Sequence, residues 1–487
     1  MTSHVEDDRP DRLDPGLLRL IGVTLLGGIM GILDSTMVTV AADTLAGEFN
    51  TSLSAVSWAT TGYLLALTVT IPVTSWAVGR FGVRRLWLFG LALFLVGSLA
   101  SALAWNVGSL VAFRVVQGLG AGVVDPLVLV ILARAAGPGR AGRVMGMMGV
   151  VLSLGPVLGP VLGGVVLESM DWRSMFFINL PIGILAVALA LRVIPAGPPV
   201  ARGSGPRLDI VGALLMAPGF AAVLFALTEA GERARFTAPS VLIPLVLGAV
   251  LLVGYVIHAL RVRRTEPLID IRLFAGRGFA ASVTVQGLVG LATFAVLFTL
   301  PLSYQVSHGH GARAAGLLVA PLGLGSALAM PLAGRLSDRL GARGLVRAGA
   351  VVAALAAYGL TRIGADGGEV WSVLAAFTVG LGLGCVGAPT MGSLYRTLPQ
   401  EKVPQGSSVV YNFNQLGGAL GVACVALILA AAGGDAAADG GAGTGGFQGA
   451  YWFVCAVTLV MLAASPLLPG RPGATTAPQA AASSADA

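Results

Sequence analysis

The feature that most constrains this chain is a succession of long apolar runs. Fourteen runs, each long enough to cross a bilayer as a helix of about 20 residues, occupy most of its 487 residues. Hydrophobic residues make up 56% of the chain and charged residues only 11%, which is outside the range of soluble proteins. The sequence therefore predicts an all-α polytopic membrane protein. The runs begin near Leu17, Ala55, Leu86, Val107, Arg143, Ser174, Asp209, Ala238, Phe279, Arg313, Gly344, Val370, Gln405 and Gly449.

Basic residues are divided unequally between the two sets of links that join these runs. Of the 30 Lys and Arg residues, Arg114 lies within a run and nearly all the others lie in the tails and alternate links. Positive charge is retained on the cytoplasmic side, so we expect both termini there. The charge is spread over many short links, which argues against nucleic acid as a partner. The opposite links hold only Arg173, Arg233, Arg235, Arg313 and Arg362.

The sequence contains no pattern typical of an enzyme or a metal site. Cys385, Cys424 and Cys455 all fall within apolar runs and lack metal-ligand spacing. Phosphate loops, zinc motifs and nucleophile elbows are also missing from the sequence. A membrane-embedded enzyme is therefore the weakest alternative, and we expect no cofactor. Every basic residue except Lys402 is arginine, which is typical of GC-rich bacterial genes and favours a bacterial inner membrane.

Two pairs of similar segments indicate an internal duplication. GLGAGVVDP at Gly118–Pro126 is similar to GLGLGCVGAP at Gly380–Pro389, and Gly82 corresponds to Gly341 with nearly the same shift of about 260 residues. The sequence thus predicts two six-helix bundles, residues 17–195 and 279–470. Two extra spans and their linkers occupy residues 196–278, and tails occupy residues 1–16 and 471–487. Transporters built from such repeats bind substrate near the midplane between them.

Asp34 and Arg114 are opposite charges within apolar runs. At 1.5 Å per residue, Asp34 lies about 12 Å and Arg114 about 10 Å from the outer ends of their helices, so the two side chains can meet. A charge in a membrane costs about 3 kcal/mol or more, which marks a functional site by default. We predict that Asp34 responds to protons and that Arg114 controls its protonation. A purely structural ion pair is the alternative.

Asp125 is a second carboxyl within the fourth run, about 16 Å closer to the cytoplasm than Arg114. No basic residue in that run is placed to pair with it. We predict that it takes part in proton coupling and favours cationic substrates, which would compete with its proton. A carboxyl that merely faces a water-filled vestibule is the equal alternative.

Glycine and proline recur in the fifth run, which reads GVVLSLGPVLGPVLGG. These residues would destabilise a water-exposed helix, but neighbouring helices can compensate within a membrane. Close helix packing alone would explain the pattern. The pattern also resembles the antiporter signature of exporters in the major facilitator superfamily, which implies a helix that seals and bends beside the substrate path. Its residues are Gly149, Gly155, Pro156, Gly159, Pro160, Gly163 and Gly164.

Further motifs resemble the same superfamily. Arg114, Gln117 and Gly118 begin its R-x-x-Q-G signature, and the element from Trp172 to Gly183 is typical of its fourteen-helix drug:proton antiporter family. Its loop signature, G-x-x-x-D-R-x-G-x-[RK], occurs twice, but Ser75 and Gly79 replace the leading glycine and the acid in the first copy. The resemblance implies that this acid latches one conformation. The matching loop residues are Arg80, Gly82, Arg84, Gly334, Asp338, Arg339, Gly341 and Arg343.

The resemblance implies a proton-coupled exporter of amphipathic or cationic small molecules, including drugs or antibiotics, that works as a monomer in the lipid bilayer by alternating access. A carrier of a small metabolite is the alternative. Other polar residues of the spans are assigned to the substrate path, although those of the thirteenth run could equally serve hydrogen bonds between helices. They are Gln117, Tyr304, Gln305, Tyr411, Asn412, Asn414 and Gln415.

Overall fold

The computed structural model describes residues 14–195, 207–262, 265–362, 368–439 and 444–470. The predicted tails and the linker before the seventh span lie mainly outside these ranges. Within them the chain forms sixteen α-helices joined by short connections. The helices are α1 (Pro15–Val40), α2 (Ala42–Glu48), α3 (Leu53–Phe81), α4 (Val83–Ala102), α5 (Val107–Ala136), α6 (Ala141–Ser169), α7 (Ser174–Phe177), α8 (Asn179–Val193), α9 (Ile210–Arg233), α10 (Pro239–Arg261), α11 (Arg277–His308), α12 (Ala312–Leu340), α13 (Ala342–Arg362), α14 (Glu369–Thr397), α15 (Val403–Asp439) and α16 (Thr444–Ala464).

The helices agree with the fourteen predicted spans. Among the described residues, 13 helical segments are long and apolar enough to cross a membrane, with α7 and α8 forming one of them. Helix α6 contains a shorter apolar segment, Ala141–Gly155, and its 29 residues supply the fourteenth span. No predicted start lies more than five residues from the observed one. The prediction of an all-α membrane fold is confirmed.

Each bundle repeats one packing arrangement. In the first, α5 lies against α3 and α4, while α1 lies against α6; in the second, α14 lies against α12 and α13, while α11 lies against α15. The extra helices α9 and α10 form a pair, and α9 also packs against α3 and α15. The extra helix α9 therefore contacts both bundles. At its contact with the first bundle, Trp58 of α3 stacks on Phe225 of α9.

The two bundles meet closely at one side of the membrane. Because the spans are even in number, α1 begins and α16 ends on the same side, which we call the terminal side. There Gly142 of α6 lies against Gly334 of α12, with no space for a Cβ atom on either. Asp338 of α12 accepts hydrogen bonds from the backbone N–H groups of Gly142 and Arg143, at 2.8 and 2.9 Å. These contacts close the terminal side.

The linker between α10 and α11 also crosses the terminal side. Tyr255 Oη accepts from the N–H of Ile269 and donates to its carbonyl, both at 2.8 Å. The Leu268 carbonyl accepts from Ser75 Oγ of the first bundle at 3.0 Å. The N–H of Asp270 donates to Gln405 Oε1 of the second bundle at 3.1 Å. The linker thus joins the two bundles at a second place.

The glycines of α6 allow close approach to two different helices. A Cβ atom at Gly155 or Gly159 would collide with Ile32 or Thr36 of α1, and one at Gly149 would collide with Met330 of α12. Gly164 has open space beside it. Close helix packing therefore accounts for most of these positions. A sealing and bending role for the helix stays a prediction.

Candidate functional site

Asp34 and Arg114 form a buried ion pair within the first bundle. Arg114 Nη1 donates to Asp34 Oδ2, and the two side chains are 0% and 1% exposed. The other carboxylate oxygen, Oδ1, accepts from Gln117 Nε2 at 2.9 Å and from Asn179 Nδ2 at 2.8 Å. Arg114 Nη1 also donates to Gln117 Oε1 at 2.7 Å. Asp34 therefore has three side-chain donors around it, as a buried carboxylate requires.

Tyr63 lies between this ion pair and a large cavity. Its ring centroid is 4.3 Å from Arg114 Cζ, a distance suited to a cation–π interaction. Its hydroxyl donates to the Gly31 carbonyl at 3.3 Å, and both residues line the cavity. Sequence reasoning assigned no role to Tyr63 and gave Asn179 only a place in a motif. A polar side chain inside an apolar run was the available signal for both.

The cavity lies between the two bundles and has a volume of about 670 Å³, within the range of small-molecule sites. Helix α9 supplies part of its wall through Leu224, Leu227 and Thr228. Its lining extends to Thr39 and Glu232, near the ends of α1 and α9 that lie away from the terminal side. The cavity therefore extends toward the opposite side of the membrane.

Two carboxyl side chains, those of Asp125 and Glu232, line the cavity. Within the described part of the chain, no Lys, Arg or His lines it. Aromatic rings of Tyr63, Phe294 and Tyr411 lie in the same wall. A cavity with acidic, aromatic and aliphatic side chains favours cations with apolar bodies.

Asp125 connects the two bundles. Its Oδ2 accepts from the hydroxyl of Tyr411, which lies on α15 of the second bundle, at 2.6 Å. The residue as a whole is 5% exposed, and in the described chain no basic side chain forms an ion pair with it. Its carboxylate is therefore held by one neutral donor across the bundle interface. Whether it exchanges protons or binds substrate stays a prediction.

The predicted substrate-path residues divide into two groups. Tyr411, Asn414 and Gln415 line the cavity, together with Asp125. Four others lie outside its lining in this conformation, and their place in the path stays a prediction: Gln117, Asn412, Tyr304 and Gln305.

Each of these four has a physical reason for its place. Gln117 is fully buried, and its side chain is held by hydrogen bonds to Asp34 and Arg114. Asn412 points to a different face of α15 from Tyr411 and is 0% exposed. Tyr304 is buried among the side chains of the second bundle, and Gln305, the next residue on α11, faces outward.

Comparison with known proteins identifies the family. Residues 24–422 match the family model described as Major Facilitator Superfamily. The Multidrug resistance protein B homolog of Mycobacterium tuberculosis is 38% identical over 424 residues, covering 86% of this chain and 77% of the relative. The lincomycin resistance protein LmrB of Bacillus subtilis is 28% identical, covering 84% of each chain. The riboflavin transporter RibZ of Clostridioides difficile is 30% identical, covering 82% of this chain and 86% of its own.

Solved structures show the same fold. The proton:xylose symporter XylE superposes with a TM-score of 0.64 at 16% identity, covering 92% of this chain and 94% of its own. The human organic anion transporter MFSD10 gives a TM-score of 0.64 at 14% identity, covering 93% of this chain and 100% of its own. The family model, the relatives and the paired six-helix bundles agree, so the chain belongs to the Major Facilitator Superfamily of membrane transporters.

Proposed function

We propose that this transporter exports amphipathic, cationic compounds from the bacterial cytoplasm in exchange for protons. The observation that carries the proposal is the buried Asp34–Arg114 ion pair, which is separated from the cavity by the side chain of Tyr63. That cavity is lined by carboxyl groups and by no described basic side chain. The relatives named for multidrug and lincomycin resistance support export of drug-like compounds.

Protonation of Asp34 would change the balance of charge in the first bundle. A proton on its carboxylate removes the partner of Arg114 and weakens the hydrogen bonds from Gln117 and Asn179. A buried guanidinium without its counter-ion is costly, so the protonated bundle favours another arrangement of these helices. This step would link proton binding to the exchange between conformations.

The substrate side of the cycle would use the acidic cavity. An organic cation is attracted to Asp125, and its apolar body is accommodated by the surrounding aliphatic and aromatic side chains. Each elementary charge moved against 100 mV costs about 2.3 kcal/mol. Exchange of one monovalent cation for one proton is electroneutral and is driven by the pH difference alone.

Transport by inverted membrane vesicles, with a fluorescent cationic dye and an imposed pH gradient, tests the proposal. Asp34→Asn should still bind dye but lose pH-driven uptake into the vesicles, while Asp34→Glu should retain part of it. Asp43→Asn, an exposed acid at the start of α2, is the matched control and should transport normally. Full pH-driven transport by Asp34→Asn would exclude Asp34 as the proton site.

The riboflavin transporter relative supports a second candidate, a carrier of a neutral metabolite. The same vesicles distinguish the two functions. A metabolite carrier should exchange a neutral flavin across the membrane and show no net movement of the dye, whereas the proposed exporter should accumulate the dye.

A further inference from the structure

Gln286 is a buried polar side chain in the cavity wall that forms no hydrogen bond with Asp34, Arg114 or Asp125 among the described residues. It lies on α11, is 4% exposed and lines the cavity. Its side-chain oxygen, Oε1, is buried and has no hydrogen-bond partner among the described residues. Asn414 Nδ2 donates to the backbone carbonyl of Gln286 at 3.2 Å and not to this side-chain oxygen. An amide is therefore held at the cavity wall with unused hydrogen-bonding capacity.

Gln286 lies at about the same depth as Asp125. At 1.5 Å per residue, Gln286 is about 14 Å from the terminal-side end of α11 and Asp125 is about 16 Å from that of α5. Helix α15 contacts both residues, because Tyr411 donates to the Asp125 carboxylate and Asn414 donates to the Gln286 backbone. Tyr411 and Asn414 are about one helical turn apart on α15, and both line the cavity. One bound molecule can thus extend from Asp125 to Gln286.

A buried acceptor without a donor destabilises the empty cavity, and a ligand that supplies the donor recovers this loss on binding. Two donors of α15 near Gln286 are already used, since the Tyr411 hydroxyl binds Asp125 and Asn414 Nδ2 binds the backbone. We propose that Gln286 is a specificity-determining residue, which selects cations that also carry an N–H or O–H donor over cations that carry none. The proposal rests on the proposed binding of cationic compounds in this cavity.

Two rhodamine dyes make a matched pair of probes. Rhodamine 6G and tetramethylrhodamine ethyl ester are both permanent monovalent cations with an ethyl ester and a xanthene body. The amino groups of rhodamine 6G carry N–H donors, whereas those of the tetramethyl dye are fully alkylated. Binding of each dye to the purified full-length protein in lipid nanodiscs is measured by fluorescence polarisation, without any proton gradient.

Gln286→Leu should weaken rhodamine 6G about fivefold, the usual contribution of one hydrogen bond. The same variant should leave the tetramethyl dye unchanged or bind it slightly more tightly, because the unpaired oxygen is gone. Gln286→Met, which is unbranched, is a second variant with the same expected selectivity. Thr284→Leu is the matched control on the same helix, exposed and outside the cavity lining, and should change neither dye.

The outcomes separate this proposal from the proposed function. Asp125→Asn should weaken both dyes, since both are cations. Equal weakening of the two dyes by both Gln286 variants would overturn the donor selectivity and assign Gln286 a packing role. Failure of rhodamine 6G to bind the unaltered protein would overturn it as well. Selective binding without pH-driven transport would instead uphold Gln286 and refute the proton-coupled export.

Discussion

The two copies of the loop motif are alike in their turn and different in what they hold together. Gly82 and Gly341 end their helices with φ angles of 79° and 82°, values that favour glycine. Arg84 Nη2 donates to the Leu191 carbonyl at 2.6 Å, and Arg343 Nη2 donates to that of Leu468 at 3.1 Å. Each copy therefore attaches its turn to the C-terminal part of its own bundle, since Leu191 lies in α8 and Leu468 follows α16. The turn is the part of the motif that both bundles keep.

The two copies differ at the acidic position. In the second copy Asp338 accepts from the start of α6 and from Arg396 Nη1 at 2.7 Å; we call this arrangement the Asp338 latch. The first copy has Gly79 at this position, and Ser75 instead donates to Leu268 of the linker. Asp270 of the same linker lies 3.6 Å from Lys402, which immediately precedes α15 of the second bundle. The first loop motif has Gly79 where the second has an acid. We infer that the linker between α10 and α11 takes over the contact between the bundles at this position.

The largest expected effect comes from replacing Gly334, the leading residue of the second loop motif, by serine, the residue that Ser75 supplies in the first. A Cβ atom at Gly334 would collide with the Gly142 carbonyl, so Gly334→Ser should force α6 and α12 apart and reduce transport at least tenfold. The distance between spin labels at Gly139 and Arg335 should lengthen. Gly344→Ser, where a Cβ atom meets no neighbour within 4 Å, is the control. An unchanged distance in Gly334→Ser would show that this contact does not hold the terminal side closed.

Removing the charge of the Asp338 latch should have the next largest effect. Asp338→Asn keeps the shape but weakens its bonds to the helix N-terminus and leaves Arg396, which is 13% exposed, without its counter-ion. Loss of one partner of a partly buried pair destabilises the closed terminal side by about 3 kcal/mol. Hydrogen exchange at the first turn of α6 should accelerate. Glu266→Gln, an exposed acid on the same side, should leave it unchanged, and equal exchange in both variants would contradict the latch.

Sequence reasoning located the helices and the ion pair because both depend on position along the chain. Hydropathy gives the length of a span, and the rise per residue gives depth, which placed Asp34 and Arg114 at one level. Their contact was observed as expected. Asp338 was singled out by the resemblance of its loop to the superfamily signature, and its contacts with α6 are observed in the structure.

The rotation of each helix could not be predicted in the same way. A span with apolar residues on all sides gives little indication of which face meets protein, lipid or cavity. Asn412 and its neighbour Tyr411 therefore receive the same prediction from the sequence, although only Tyr411 lines the cavity. Gln286 was missed for the same reason. The linker contact of Leu268 was also unpredictable, because its carbonyl belongs to the backbone and leaves no mark in the sequence.

A smaller effect is expected where the first copy meets the linker. Ser75→Ala removes the hydroxyl that donates to the Leu268 carbonyl and leaves this buried acceptor without that donor. The expected loss is about 1 kcal/mol of contact between linker and bundle. Limited proteolysis or hydrogen exchange of residues 265–276 should accelerate, while exchange at the start of α6 stays constant. Acceleration at α6 instead would mean that the two closures are not independent.

The smallest effect is expected from Asp270→Asn, and its dependence on salt distinguishes the linker from the Asp338 latch. Asp270 and Lys402 are 25% and 26% exposed and 3.6 Å apart, so water and ions screen their attraction. Asparagine can still accept from the N–H of Arg272, as the Asp270 carboxylate does at 3.1 Å, so only the charge is lost.

Spin labels at Gly79 and Glu401 should report an open population increased about twofold at low salt, with no difference from the unaltered protein in 0.5 M salt. Asp338→Asn should keep its effect at both salt concentrations because its partners are more deeply buried. An Asp270→Asn variant that opens the terminal side as far as Asp338→Asn, at either salt concentration, would mean that the linker holds the bundles as firmly as the latch and that the two closures are equivalent.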